Sequence, residues 1–200
     1  GTIAEIYSKC ENTLRGLEEI VLDEFSHFAD HLDALGKLQR AYQLAKRQRQ
    51  LLDYDDLLVL LRDLLTKDEP TQQAISRQFR YILVDEYQDT NRLQAELIRK
   101  LAATHDNVMV VGDDSQSIYA FRGATFRNIM EFPSWFPGAT IYKLEENYRS
   151  TQPILSLANE IIQEAPEKYT KHLFTRKLDG PLPALVEAAG ENEQFRCVAQ

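Results

Sequence analysis

Two hundred residues, 44 % of them hydrophobic, allow one large domain or one and a fraction, with the composition of a globular chain. No apolar run approaches the roughly 18 residues that span a bilayer, and the start has no basic stretch followed by an apolar one, so the expected location is cytoplasmic. A net charge of −8 taken alone argues against a nucleic-acid binder. The charge is uneven, however. Residues 1–36 are mostly acidic (Glu5, Glu11, Glu18, Glu19, Asp23, Glu24, Asp30, Asp33), whereas 37–50 carry Lys37, Arg40, Lys46, Arg47 and Arg49 with no acid among them. The basic run reads either as a solvated helix face or as local charge for a strand held in a groove. Cys10 and Cys197 lack metal-ligand spacing and read as two reduced thiols. The chain begins with Gly1 and its first methionine is Met109, so it reads as a piece of a longer polypeptide.

Residues 3–65 read as helical. Leu14, Leu17, Ile20, Val21, Phe25 and Phe28 recur at spacings of three and four, and Leu32, Leu35 and Leu38 continue the stripe with Gly36 as a break. Asp53 or Asp55 caps a further helix over 57–65, and Pro70 marks a connection. From Tyr81 the texture alternates. Residues 81–84, 108–111 and 139–144 are expected strands. Residues 91–103 are an amphipathic helix, 126–132 a short helix closed by Pro133, and 151–162 a helix with Pro153 in its first turn. A last possible strand covers 184–188. Strands alternating with helices imply an α/β fold with a mostly parallel sheet. Ligands then sit at the carboxyl ends of the strands, where Asp85-Glu86, Gly112–Gln116 and Glu145–Arg149 should converge.

The residue types at those strand ends suit phosphoryl chemistry. Asp85 after an apolar strand is a good ligand for a hydrated Mg2+ on the β- and γ-phosphates of ATP, and Glu86 beside it can orient and deprotonate the attacking water. Gln116 carries a donor and an acceptor that suit the γ-phosphate or the water, but it also suits loop capping. Arg149 could face the γ-phosphate and Tyr148 could stack on adenine, or the two could be a surface Arg and a core Tyr. Tyr119 and Phe121, two apart, could stack on unpaired bases, and their alternation implies one ring buried and one exposed. Arg122 could pair with a DNA phosphate or with a carboxylate near the nucleotide.

Taken in this order, YILVDEYQDTN at 81–91, VVGDDSQSIYAFRGA at 110–124 and LEENYRST at 144–151 resemble motifs II, III and IV of the UvrD/Rep/PcrA family of superfamily 1 DNA helicases, and LLDYDDLL at 51–58 resembles the segment leading back into the first motor lobe. The resemblance implies a helical accessory segment over 1–50, part of a RecA-like P-loop NTPase motor lobe over 51–150 and the start of a second lobe over 151–200. It assigns Mg2+ to Asp85, the catalytic base to Glu86, γ-phosphate contact to Gln116, an arginine finger to Arg149, adenine stacking to Tyr148, and single-stranded DNA to Tyr119, Phe121 and Arg122. It also implies ATP and Mg2+ as cofactors, single-stranded DNA and duplex junctions as partners, and 3′-to-5′ polarity. The family often has Trp where Phe121 stands, and often Gly or Arg where Ala120 stands. No G-x-x-x-x-G-K-[ST] occurs in the chain, so this stretch alone is expected to be inactive, and an absent upstream strand should leave apolar sheet surface exposed. Two other readings stay open: the helicase subunit of a helicase–nuclease of the AddA or RecB type, and a non-catalytic DNA-binding or protein-docking module that keeps the motor fold. The acidic stretch 1–36 is either a partner-binding arm or packing for the motor lobe.

Overall fold

The computed structural model describes residues 1–199, the side chain of Arg122 excepted. The chain divides into two compact units, 1–139 and 140–200.

The first unit opens with helices. α1 (Thr2–Thr13) ends at Leu14, which turns left-handed at φ 58°, and α2 (Leu17–Glu24) follows. A 3-10 segment, Ser26–His31, leads into α3 (Leu32–Arg49). The break in the helical stripe therefore lies at 14–16 and 25–31. Gly36 sits inside α3 instead, where an added Cβ would meet nothing closer than 3.5 Å. One glycine costs about 1 kcal/mol of helix propensity. The buried Leu35 beside it offsets that, since burying a leucine side chain contributes about 1.5–3 kcal/mol. Ile6, Cys10, Ile20, Val21, Phe25 and Leu35 form this helical core, while Leu14 and Leu38 of the expected stripe face solvent.

α4 (Tyr54–Lys67) begins at a capping box. Asp53 Oδ1 accepts the Asp56 N–H at 2.9 Å, and Asp56 Oδ2 accepts the Asp53 N–H at 2.9 Å. Lys46 bonds both carboxylates at 2.7 Å, so this member of the basic run is held against acids and is not solvated. The connection expected around Pro70 is a single residue, Asp68, which closes α4 and caps α5 (Glu69–Gln78). Pro70 itself lies in the first turn of α5, where a missing N–H costs nothing.

β1 (Ile82–Val84) and β2 (Val108–Val110) pair in parallel, with Ile82 opposite Val108 and Val84 opposite Val110. α6 (Arg92–Leu101) and α7 (Arg127–Trp135) belong to the core under them, where Tyr87, Ala95, Ala102, Phe132 and Phe136 are buried with Ile82, Val84, Val108 and Val110 against them. The opposite face carries Leu83 and Met109, 73 % and 57 % exposed. α7 runs through Pro133 to Trp135. The ring forfeits one helix bond, but Phe132 and Phe136 lock the turn, with the Phe136 N–H donating to the Phe132 carbonyl at 3.0 Å.

In the second unit α8 (Gln152–Gln163) starts as expected, with Pro153 in its first turn. The expected strands at 139–144 and 184–188 do not form. Ile141, Tyr142, Leu144, Leu185 and Val186 are exposed, and the described residues of this unit offer no strand for them to pair with. α9 (Glu191–Val198) closes the described chain. Both thiols are free.

Candidate active site

The apolar run 82–84 makes a buried-face strand, and the polar run after it cannot continue the ladder. Val84 passes its carbonyl to the Val111 N–H at 2.8 Å, and the Tyr87 N–H reaches back to the Val111 carbonyl at 2.9 Å. Between those bonds the chain turns sharply. Glu86 is held left-handed at φ 49° and ψ 44°, a conformation that costs a non-glycine residue about 1–2 kcal/mol. The Asp85 carboxylate supports the turn by accepting the Glu86 N–H at 2.9 Å. Both acidic side chains are exposed at the carboxyl end of β1.

What holds the strained turn lies beneath it. Tyr87 is fully buried, edge-on to Phe132 with ring centroids 5.7 Å apart and planes at 82°. Burial pushes its phenol up to about 12, and its hydroxyl has no hydrogen-bond partner among the described residues. Gln88, 1 % exposed, is satisfied at both ends of its amide: Nε2 donates to Glu86 Oε2 at 2.7 Å, and Oε1 accepts the Asp113 N–H at 3.0 Å. Its carbonyl accepts the Ser117 hydroxyl at 3.2 Å.

The loop after β2 therefore rests on the loop after β1. Gly112 makes the approach possible, since a Cβ there would sit 2.6 Å from Gln88 Oε1. Asp113 accepts the Ser115 N–H on Oδ1 at 3.0 Å and Gln116 Nε2 on Oδ2 at 2.8 Å. Farther along, Tyr119 and Phe121 meet with ring centroids 5.7 Å apart and planes 36° apart. The expectation of one buried and one exposed ring fails. They are 38 % and 61 % exposed, because Tyr119 precedes and Phe121 lies within a 3-10 turn (Ala120–Arg122), which breaks the two-residue alternation of a strand. The two rings line a cavity of about 810 Å³ with Lys9, Asn12, Tyr54 and Asp55. The Arg122 side chain lies outside the described residues. Gly123 turns left-handed at φ 79°, and the loop is then tied down by buried Asn128, whose Nδ2 donates to the carbonyls of Thr90 at 2.9 Å and Asn91 at 3.1 Å.

Tyr148 and Arg149 belong to the second unit. Both are exposed. The Tyr148 hydroxyl donates to Glu146 Oε2 at 3.0 Å, which raises its pKa, and the Arg149 N–H donates to Asn147 Oδ1 at 2.9 Å. Of the three strand-end clusters, the structure thus brings two together, around 85–88 and 112–116, within the first unit.

Gln88, Asp113 and Asn128 were not singled out by sequence reasoning. A glutamine between two acids reads as a loop amide. The one signal pointing to it was its position immediately below an expected site in a turn too short to escape the core.

The first unit is a helix-rich α/β fold that gathers acidic and amide side chains at the ends of two parallel strands, the edge where ligands sit in open α/β sheets generally. Residues 2–137 match the UvrD/REP helicase N-terminal domain, and the chain belongs to that family. It is similar to a probable DNA helicase II homolog of Rickettsia conorii, 40 % identical over 169 residues, which is 81 % of this chain and 26 % of the relative. It is also similar to the ATP-dependent DNA helicase PcrA of Staphylococcus epidermidis, 38 % identical over 170 residues, covering 85 % of this chain and 23 % of the relative. The DNA helicase II of Rickettsia typhi stands at 40 % over 169 residues. The chain spans about a quarter of the length of these relatives.

Proposed function

We propose that this chain carries the water-activating part of an ATP-dependent DNA helicase, as part of a RecA-like motor lobe that moves 3′-to-5′ on single-stranded DNA. The observation that supports this best is the junction of the two strand-end loops, which puts exposed Asp85 and Glu86 one buried amide away from the loop bearing Gln116.

The donor set suits the cofactor. Among the described residues no three His, Cys, Asp or Glu side chains gather to form a protein cage for a metal. Mg2+ needs none, since it is commonly held by one or two carboxylates, water and the substrate's own phosphates. Asp85 would be that carboxylate: its side chain is exposed, with Oδ1 engaged by the Glu86 N–H. Bound Mg-ATP supplies the phosphoryl group and neutralises its developing charge. Glu86 takes the proton of the attacking water, its carboxylate exposed at the left-handed turn after β1. Gln116 contacts the γ-phosphate, and the family resemblance gives Arg149 and Tyr148, in the second unit, the roles of arginine finger and adenine platform. Tyr119 and Phe121 stack on bases, and the family resemblance adds Arg122 to the strand contact. No phosphate-cradling loop lies within the chain, so by itself it is expected not to hydrolyse ATP.

The test is ATP hydrolysis by the full-length protein with and without single-stranded DNA, beside Glu86→Gln. Strong stimulation by DNA that the variant loses supports the reading. Equal, unstimulated rates in both proteins would sink it and favour a docking module.

A further inference from the structure

We propose that Gln88 is a positioning residue that locks the Glu86 carboxylate to the loop bearing Gln116, so that the two answer the nucleotide together. The inference rests on the assignment of Glu86 as the base.

Four residues form an unbroken series, which passes through the backbone N–H and then the carboxylate of Asp113. Glu86 Oε2 accepts Gln88 Nε2 at 2.7 Å, Gln88 Oε1 accepts the Asp113 N–H at 3.0 Å, and Asp113 Oδ2 accepts Gln116 Nε2 at 2.8 Å. Every link but the last passes through a buried group, and the Gln88 amide spends both its ends on it. An exposed glutamate ordinarily samples several rotamers. Here one oxygen is fixed by a donor that cannot itself move, because its own carbonyl-type oxygen is committed across the gap between loops. Glu86 itself is exposed, so the carboxylate held in this way still faces solvent. A shift of Gln116 pulls on Asp113, and Asp113 is bonded through its backbone to the group that holds Glu86. The space at Gly112 is shaped to this strut: a Cβ would fall 2.6 Å from Gln88 Oε1, 3.0 Å from Ile129 Cδ1 and 3.3 Å from the Gln88 backbone nitrogen. Glycine there is required by the strut, since Gly112 does not adopt a positive φ.

Two substitutions break the series from different sides. Gln88→Met keeps the volume and removes both amide bonds. Gly112→Ala leaves Gln88 in place and pushes its amide aside. In the full-length protein each is expected to lower the DNA-stimulated kcat about ten-fold or more. KM for ATP and the affinity for an oligo(dT) strand should stay within two-fold of wild type. A residue that merely fills space would move stability and KM along with kcat. The deciding measurement is the pair cycle with Glu86→Gln. If Gln88 acts through Glu86, Gln88→Met lowers the residual rate of Glu86→Gln no further. Independent, multiplying losses overturn the proposal, as does wild-type kcat in Gln88→Met and Gly112→Ala when Glu86→Gln is dead. Near-wild-type turnover by Glu86→Gln would overturn the base assignment and this inference with it. Should Gln88→Met fail to fold, as judged by near-ultraviolet circular dichroism, Gly112→Ala and its own cycle with Glu86→Gln decide the question.

Discussion

Phe121→Ala separates stacking from charge at the proposed DNA contact. The ring is 61 % exposed and leans on Tyr119 at 5.7 Å, so it offers one face outward and is braced on the other. Stacking one base on an aromatic ring contributes about 1–3 kcal/mol. A middle value of about 2 kcal/mol corresponds to roughly a 30-fold loss of affinity. Because the rings touch, losing Phe121 also removes the brace from Tyr119, so the Tyr119→Ala/Phe121→Ala double variant should fall short of the sum, at about 3 kcal/mol. Phe121→Trp, which enlarges the stacking face, should tighten binding a few-fold. The assay is fluorescence anisotropy of a labelled oligo(dT) with the full-length protein over a potassium chloride series. No phosphate contact is removed, so the plot of log affinity against log salt should drop in parallel, with unchanged slope. Affinity within two-fold of wild type, or a shallower slope, refutes the stacking argument.

Three further outcomes concern the scaffold. Asp53→Ala removes the α4 cap and one of two carboxylates on Lys46, at a cost of about 1.5–2 kcal/mol after allowing for solvent screening, measurable by urea denaturation. Burial of Asp53 opposes its charge, but Lys46, the Asp56 N–H and Tyr42 outweigh this and hold its carboxyl below the usual range. Its contribution is therefore fully present above the unfolded pKa of about 4 and fades as pH falls through the lower folded value, so wild type and Asp53→Ala should converge in acid. Tyr87→Phe deletes a buried hydroxyl without a partner and should raise stability by about 1 kcal/mol; a loss of that size would mean the hydroxyl is satisfied. Burial and neighbouring Glu11 raise the Cys10 thiol to about 11, so a maleimide at neutral pH should label exposed Cys197 quickly and Cys10 only on unfolding.

The parts of the fold that sequence made legible are those set by short-range rules. The cap at Asp53, Pro153 at a helix start, the amphipathic helix after residue 91 and the two apolar strands all follow from local chemistry. The misses share another cause. Residues 139–144 have the composition of a strand, but a strand exists only with a neighbour, and among the described residues of the second unit the pairing shrinks to one isolated parallel bridge just beyond them, Glu146 with Phe174. Gly36 and Pro133 look like breaks until the packing of Leu35, Phe132 and Phe136 is known. At the candidate site the exposed acids could be picked out as an acidic pair after a strand. The buried amides that hold them could not, because Gln88 and Asn128 owe their importance to partners 25 and 37 residues away.

The loop from Asp113 to Ala124 is moored at both ends, by Gln88 at one and by the Thr90–Asn91–Asn128 cluster at the other. A segment fastened this way cannot dissipate a displacement along the backbone on either side. The Ser117 hydroxyl on the Gln88 carbonyl adds a third fastening, so the stretch left between moorings is 118–123, which holds Tyr119 and Phe121. The moorings thus turn an ordinary surface loop into something closer to a bowstring, in which slack at one point has to reappear as motion of the aromatic pair.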